Sequence, residues 1–163
     1  MDSIIASVLE LSKLEESDMD PEASELDAAE LLHGIAANYE NELEKNDLKL
    51  SINGTADFTA DKKLMMDILT NLIENAVKYT DVSGSITAEC RKGYICITND
   101  CTEADKLNAD ELTKPFVKGD NSRNGRKGSG LGLSIAAEAA RRQGLSLEVK
   151  AQDGKFSVTV SQK

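Results

Sequence analysis

Five stretches of this sequence alternate apolar and polar residues with a period of two. They are "LKLSI" (48–52), "SITAEC" (85–90), "YICIT" (94–98), "LSLEV" (145–149) and "KFSVTV" (155–160). A strand that alternates has one buried face and one wet face, unlike the near-continuous apolar runs of strands covered on both sides. Between them lie segments of helical periodicity at about 3–16, 25–45, 62–79 and 130–143. The expected architecture is α+β: a two-layer sandwich, its mixed sheet covered on one face by the last three helices, with a short N-terminal helix outside. Local signals place the joints. Asn53-Gly54 predicts a hairpin returning through "DFTA" (57–60), and Asp153-Gly154 predicts another. Asp61 can cap the helix that follows it. Gly144 after Arg141-Arg142 suits a helix C-terminus.

The 163 residues suffice for one compact domain and an appendage. The acidic, proline-containing stretch "SDMDPEAS" (17–24) reads as a linker. It divides an N-terminal helical piece (1–17) from a main domain (25–163), with 18–24 as the joint. The helical piece carries Ile4, Ile5, Val8, Leu11 and Leu14 as an apolar stripe in need of a partner. A net charge of −10 argues against a general nucleic-acid or membrane-surface binder, both of which need a broad basic face. No run approaches the ~20 apolar residues of a membrane helix. The three cysteines, Cys90, Cys96 and Cys101, match no metal-ligand spacing and read as reduced thiols. The expected location is cytoplasmic.

Two features point to chemistry. The first is "NLIENAVKYT" (71–80). At 100° per residue, Asn71, Asn75 and Lys78 fall within about 60° of one another, while Met65, Leu69, Leu72, Ile73 and Ala76 lie roughly opposite. A merely solvated face usually carries Lys and Glu, which favour helices; Asn does not. An amide oxygen suits a hard cation such as Mg²⁺, and a lysine beside it suits phosphate. Together they propose a magnesium–nucleotide site. The second is "KGDNSRNGRKGSGLGLSIA" (118–136), where Gly128, Gly130 and Gly132 recur just where a helix starts. Glycine lets a backbone approach a ligand, and a helix N-terminus favours anions. Lys114, Lys118, Arg123, Arg126 and Lys127 face a single acid, Asp120, across 114–127. The segment is neither a Walker loop nor a dinucleotide fingerprint, because Leu133 stands where the latter needs its third glycine.

In order and spacing these motifs resemble the catalytic ATP-binding domain of sensor histidine kinases. "DKKLMMDILTNLIENAVKYT" resembles that family's N box, "LTKPFVKGDNSR" its F box and the start of its ATP lid, and "GSGLGLSIA" its G2 box. The resemblance spans about residues 25–161. It implies the Bergerat ATPase sandwich, with ATP and Mg²⁺ as ligands. By analogy Asn75 ligates Mg²⁺ with Asn71 beside it, and Lys78 and Tyr79 lie near the phosphates and ribose. Phe116 anchors the lid, and Lys118 and Arg123 lie on it near the γ-phosphate. Gly128, Ser129, Gly130, Leu131 and Gly132 wrap the triphosphate. In "ITNDCTE" Asn99 stands at the aspartate position of the family's G1 box, and Cys101 at its first glycine position.

The resemblance further implies that ATP donates its γ-phosphate to a histidine on a dimerising helical hairpin, for onward transfer to a response regulator. Residues 1–17 resemble the end of that hairpin. The phosphoacceptor is expected to be absent, since His33 precedes Gly34 rather than an acid and lies beyond the linker. The resemblance implies a parent that is a homodimer anchored in the bacterial plasma membrane. Competing readings are a free-standing ATPase of the same fold, a serine kinase restraining a sigma factor and a degenerate interaction module. The first two usually place a glutamate where Asn71 stands.

Overall fold

The computed structural model describes residues 2–16, 20–114 and 132–162. Helix α1 (Asp2–Glu16) is followed by strand β1 (Ala23–Asp27) and helices α2 (Ala28–Ala37) and α3 (Glu40–Lys45). Strands β2 (Lys49–Asn53) and β3 (Asp57–Asp61) lead into the long helix α4 (Lys62–Tyr79). Strands β4 (Ser85–Arg91) and β5 (Tyr94–Asp100) precede two short 3-10 turns. Helix α5 (Gly132–Arg142) and strands β6 (Leu145–Gln152) and β7 (Lys155–Gln162) close the described chain.

Five strands form one mixed sheet in the order β2-β4-β5-β7-β6. The alternation read from the sequence decides its faces. Ile86, Ala88 and Cys90 of β4, Ile95 and Ile97 of β5, and Phe156, Val158 and Val160 of β7 are buried in one core with the helices. Thr87, Thr98 and Ser157 stand in register on the other face. Met65, Ile68, Leu69, Leu72, Ile73, Ala76 and Val77 make the apolar side of α4, which packs between α2 and α5 over the sheet. The two-layer α+β sandwich expected from the sequence is the observed fold.

Three local expectations are corrected. Asn53-Gly54 does turn the chain, with Gly54 at φ +88°. It does not close a hairpin, however. β2 pairs in parallel with β4, Leu50 opposite Ile86, while β3 pairs antiparallel with β1 in a separate two-stranded sheet. Burying Leu50 and Ile52 beside β4 outweighs the local turn preference. The helix expected from 25 is instead β1 through Asp27, because Asp27 caps α2, its carboxylate accepting from Ala29 N at 2.9 Å and Ala56 N at 2.9 Å. Ala23 and Ser24 already pair with β3. That helix also breaks at Asn38-Tyr39, giving α2 and α3 in place of one rod.

The apolar stripe of α1 finds its partner only in part. Leu11 and Leu14 join the core against α5, and the Arg142 guanidinium donates to Leu14 O at 3.0 Å. Ile5, Val8 and Leu9 remain exposed. Among the described residues no helix is long and apolar enough to cross a membrane.

Candidate functional site

The polar stripe of α4 is half-buried, and its members are not equivalent. Asn71 Nδ2 donates to Asp67 O one turn back at 2.7 Å, which fixes the amide and leaves its oxygen turned outward. That oxygen faces the start of α5: a Cβ on Gly132 would lie 3.4 Å from Asn71 Oδ1. Glycine at 132 thus brings the first turn of α5 against the asparagine. Asn75 makes no hydrogen bond among the described residues, so its amide oxygen is available to a ligand. Lys78 Nζ lies 2.8 Å from Glu74 Oε1, an i,i+4 ion pair along the same stripe. Tyr79, the last residue of α4, is half-buried beside it.

The C-terminal ends of α4 and β5 meet. Asp81 N donates to Asp100 O at 3.1 Å, and Thr102 N donates to Asp81 Oδ2 at 2.8 Å. Thr80 is wholly buried, its hydroxyl donating to Ala76 O. Asp100 points to the wet face, accepting from Ser85 N at 2.8 Å and from the Lys155 ammonium. The Lys155 hydrogen bond, then the one from Ser85 N, hold its carboxyl below the usual carboxylate range. Beyond it, Cys101 N donates to Gly154 O at 2.9 Å, and Asp105 accepts from Asp153 N and Gly154 N. Alternation puts Asn99 on the opposite, covered face, between Ile86 and Phe156 in register, with only 2 % of its surface exposed. Cys101 is also buried.

The structure therefore brings Asn71, Asn75, Lys78 and Tyr79 onto one helix edge with Gly132 against them, and places Asn99 and Cys101 where β5 meets the end of that helix. Phe116, Lys118, Arg123, Gly128, Ser129, Gly130 and Leu131 lie outside the described residues. His33 is exposed on α2. Sequence reasoning missed Glu74 as the partner of Lys78, although the i,i+4 spacing announces it. It also missed Asp81, Asp100 and Asp105 as the pins of the 100–106 loop, which only long-range pairing reveals.

Among the described residues no three His, Cys, Asp or Glu side chains converge as a metal site. The donor set fits magnesium in another way. One or two protein oxygens, completed by phosphate oxygens and water, is its usual complement at a nucleotide, and Asn71 and Asn75 offer two. Burial raises the Asp67 carboxyl above its ordinary range at the α1-facing end of the stripe. Burial and then the Asp67 charge do the same to Glu10 of α1.

Comparison with known proteins bears on this arrangement. The chain is 28% identical over 168 residues to an uncharacterised sensor-like histidine kinase of Rhizobium meliloti (strain 1021), covering 97% of this chain and 32% of that protein. It is 30% identical over 155 residues to the swarming motility regulation sensor protein RssA of Serratia marcescens, covering 90% of this chain and 32% of that one. The chain thus spans about a third of the length of these relatives. Full-length ShkA, solved in complex with AMPPNP, superimposes with a TM-score of 0.73 at 19% identity, covering 99% of this chain and 36% of that one. A family profile matches residues 60–163, from the residue before the cap of α4 to the last residue. With that match over more than half its length, the chain belongs to the histidine kinase-, DNA gyrase B- and HSP90-like ATPase family.

Proposed function

We propose that this chain is the ATP-binding catalytic domain of a sensor histidine kinase, and that it presents magnesium–ATP to a histidine on a helical hairpin for phosphoryl transfer. The observation that carries the reading is the unengaged Asn75 amide on a stripe with Asn71 and Lys78, closed on one side by the glycine start of α5. The relatives named as sensor kinases support it.

In this reading Asn75 Oδ1 and Asn71 Oδ1 hold the magnesium ion, which neutralises developing phosphate charge when bound. Lys78 exchanges its Glu74 partner for phosphate oxygen. Asn99, with Cys101 beside it, lies at the base, Tyr79 near the ribose, and the lid residues Lys118 and Arg123 near the γ-phosphate. Phosphoryl transfer asks chiefly for positioning and charge compensation. The imidazole nitrogen attacks the γ-phosphorus while the bond to the β-phosphate oxygen breaks, and ADP leaves. Asn71 cannot activate water, because a neutral amide is not a base, and the Glu74 carboxylate lies about 60° round the helix from it. Hydrolysis by water is therefore slow, which favours a kinase over a free-standing ATPase.

The proposal extends to partners. Residues 1–17 form the end of the dimerising hairpin, the joint follows it, and the catalytic domain takes the rest. A response regulator receives the phosphoryl group, and the parent is a cytoplasm-facing homodimer anchored in the plasma membrane. The test uses γ-labelled ATP. The chain alone stays unlabelled, while a separately supplied hairpin from the parent acquires an acid-labile phosphohistidine. Stable labelling of the isolated chain at His33 would overturn the assignment of the acceptor to another segment.

A further inference from the structure

We infer that the base subsite of this domain accepts guanine as well as adenine, because the group that reads the base is the loosely held neutral amide of Asn99. The inference rests on the nucleotide reading above and names its substrate class more closely.

Asn99 is the polar residue that β5 sends into the covered face, with 2 % of its surface exposed. Its register neighbours on both sides, Ile86 and Phe156, are apolar. An amide that its neighbours hold only weakly can still turn either its oxygen or its NH₂ to a ligand. Its one hydrogen bond among the described residues is a long one, Nδ2 to Asp100 O at 3.4 Å. Its carbonyl oxygen accepts none among them. Nearby carboxylates cannot take over the role. Asp100 faces the other side of the sheet and is held by Ser85 N and Lys155, and Asp81 is held by Thr102 N.

The chemistry of the two purines then decides. Adenine offers an amino donor at its 6-position with an acceptor at N1. Guanine offers the reverse, an acceptor at O6 with a donor at N1. An amide carries one acceptor and two donors, so a half-turn about its terminal torsion makes it complementary to either edge. A carboxylate carries acceptors alone and would face guanine O6 with repulsion. Selection by an amide requires that its orientation be locked. The single long contact to Asp100 O does not lock this one.

The test is calorimetric titration of the full chain, with magnesium, against the non-hydrolysable analogues AMPPNP and GMPPNP. The expected result is two dissociation constants within about tenfold of each other, the loss of one neutral hydrogen bond at most. Asn99→Asp should widen the ratio by about tenfold in favour of AMPPNP, since the charged acceptor binds the amino group more strongly and repels O6. A wild-type preference above tenfold overturns the inference, and does so even if the variant fails to fold. An unchanged ratio in a folded Asn99→Asp variant overturns it as well, by placing the base elsewhere. If neither analogue binds, the nucleotide reading itself falls, an outcome distinct from binding with strict selectivity.

Discussion

Asn75→Ala weakens binding of magnesium–ATP by about tenfold or more, the loss of roughly one metal ligand, worth about 1.4 kcal/mol per factor of ten. The expectation follows from what Asn75 does not do in the fold. Its side chain makes no hydrogen bond among the described residues, and the core of α4 is made by other positions. Removing the amide therefore leaves no buried partner stranded. Alanine is also the better helix former, by up to about 0.7 kcal/mol. The variant should fold at least as well as the parent chain, so the loss reads on binding alone. Calorimetry with and without chelator checks it. In chelator the unmodified chain should fall towards the affinity of the variant, and the variant should respond little to magnesium. Equal affinities of the two chains with magnesium, or an unmodified chain indifferent to chelator, would remove Asn75 from the metal.

The α4 site could be read from the sequence because its geometry is local. A helix fixes the angle between residues three and four apart, so Asn71, Asn75 and Lys78 fall on one edge whatever surrounds them. The strands of the main sheet were legible for the same reason, since burial of Ile86, Ala88 and Cys90 follows directly from alternation. What failed was pairing. "ASELD" has no alternation, and its first three residues are exposed; it is a strand because β3 offers it an edge and Asp27 a cap. The turn at Asn53-Gly54 was read correctly as a turn and wrongly as a hairpin. Its backbone is local, but the partner of β2 lies more than thirty positions away, at Ser85–Glu89. The loop after β5 was unreadable for a related reason. Asp81 and Asp105 fix it by accepting from backbone N–H groups distant in sequence.

That same turn gives the largest stability effect expected of a single methyl group. As β2 ends, the chain still runs edge to edge with its parallel neighbour β4. A Cβ on Gly54 would sit 2.3 Å from Cys90 O and 3.3 Å from Cys90 C, both backbone atoms. No rotamer change relieves contact with a backbone, so β2 or β4 must shift. The residue also holds φ +88°, where a side chain costs roughly 1–2 kcal/mol by itself. Overpacking adds typically about 1–3 kcal/mol. Gly54→Ala should therefore lose about 3 kcal/mol, which for a domain of this size lowers Tm by roughly 6–12 °C. Gly34→Ala supplies the opposite sign with the same chemical change. Gly34 lies inside α2 at ordinary helical φ, and a Cβ there meets nothing within 4 Å. Replacing glycine in a helix interior should gain about 0.5–1 kcal/mol. Thermal unfolding of the two variants beside the parent chain distinguishes close backbone approach from glycine content as such. If Gly54→Ala unfolds within a degree or two of the parent, the end of β2 does not lie against β4 as described, and the parallel pairing that replaces the expected hairpin is wrong with it.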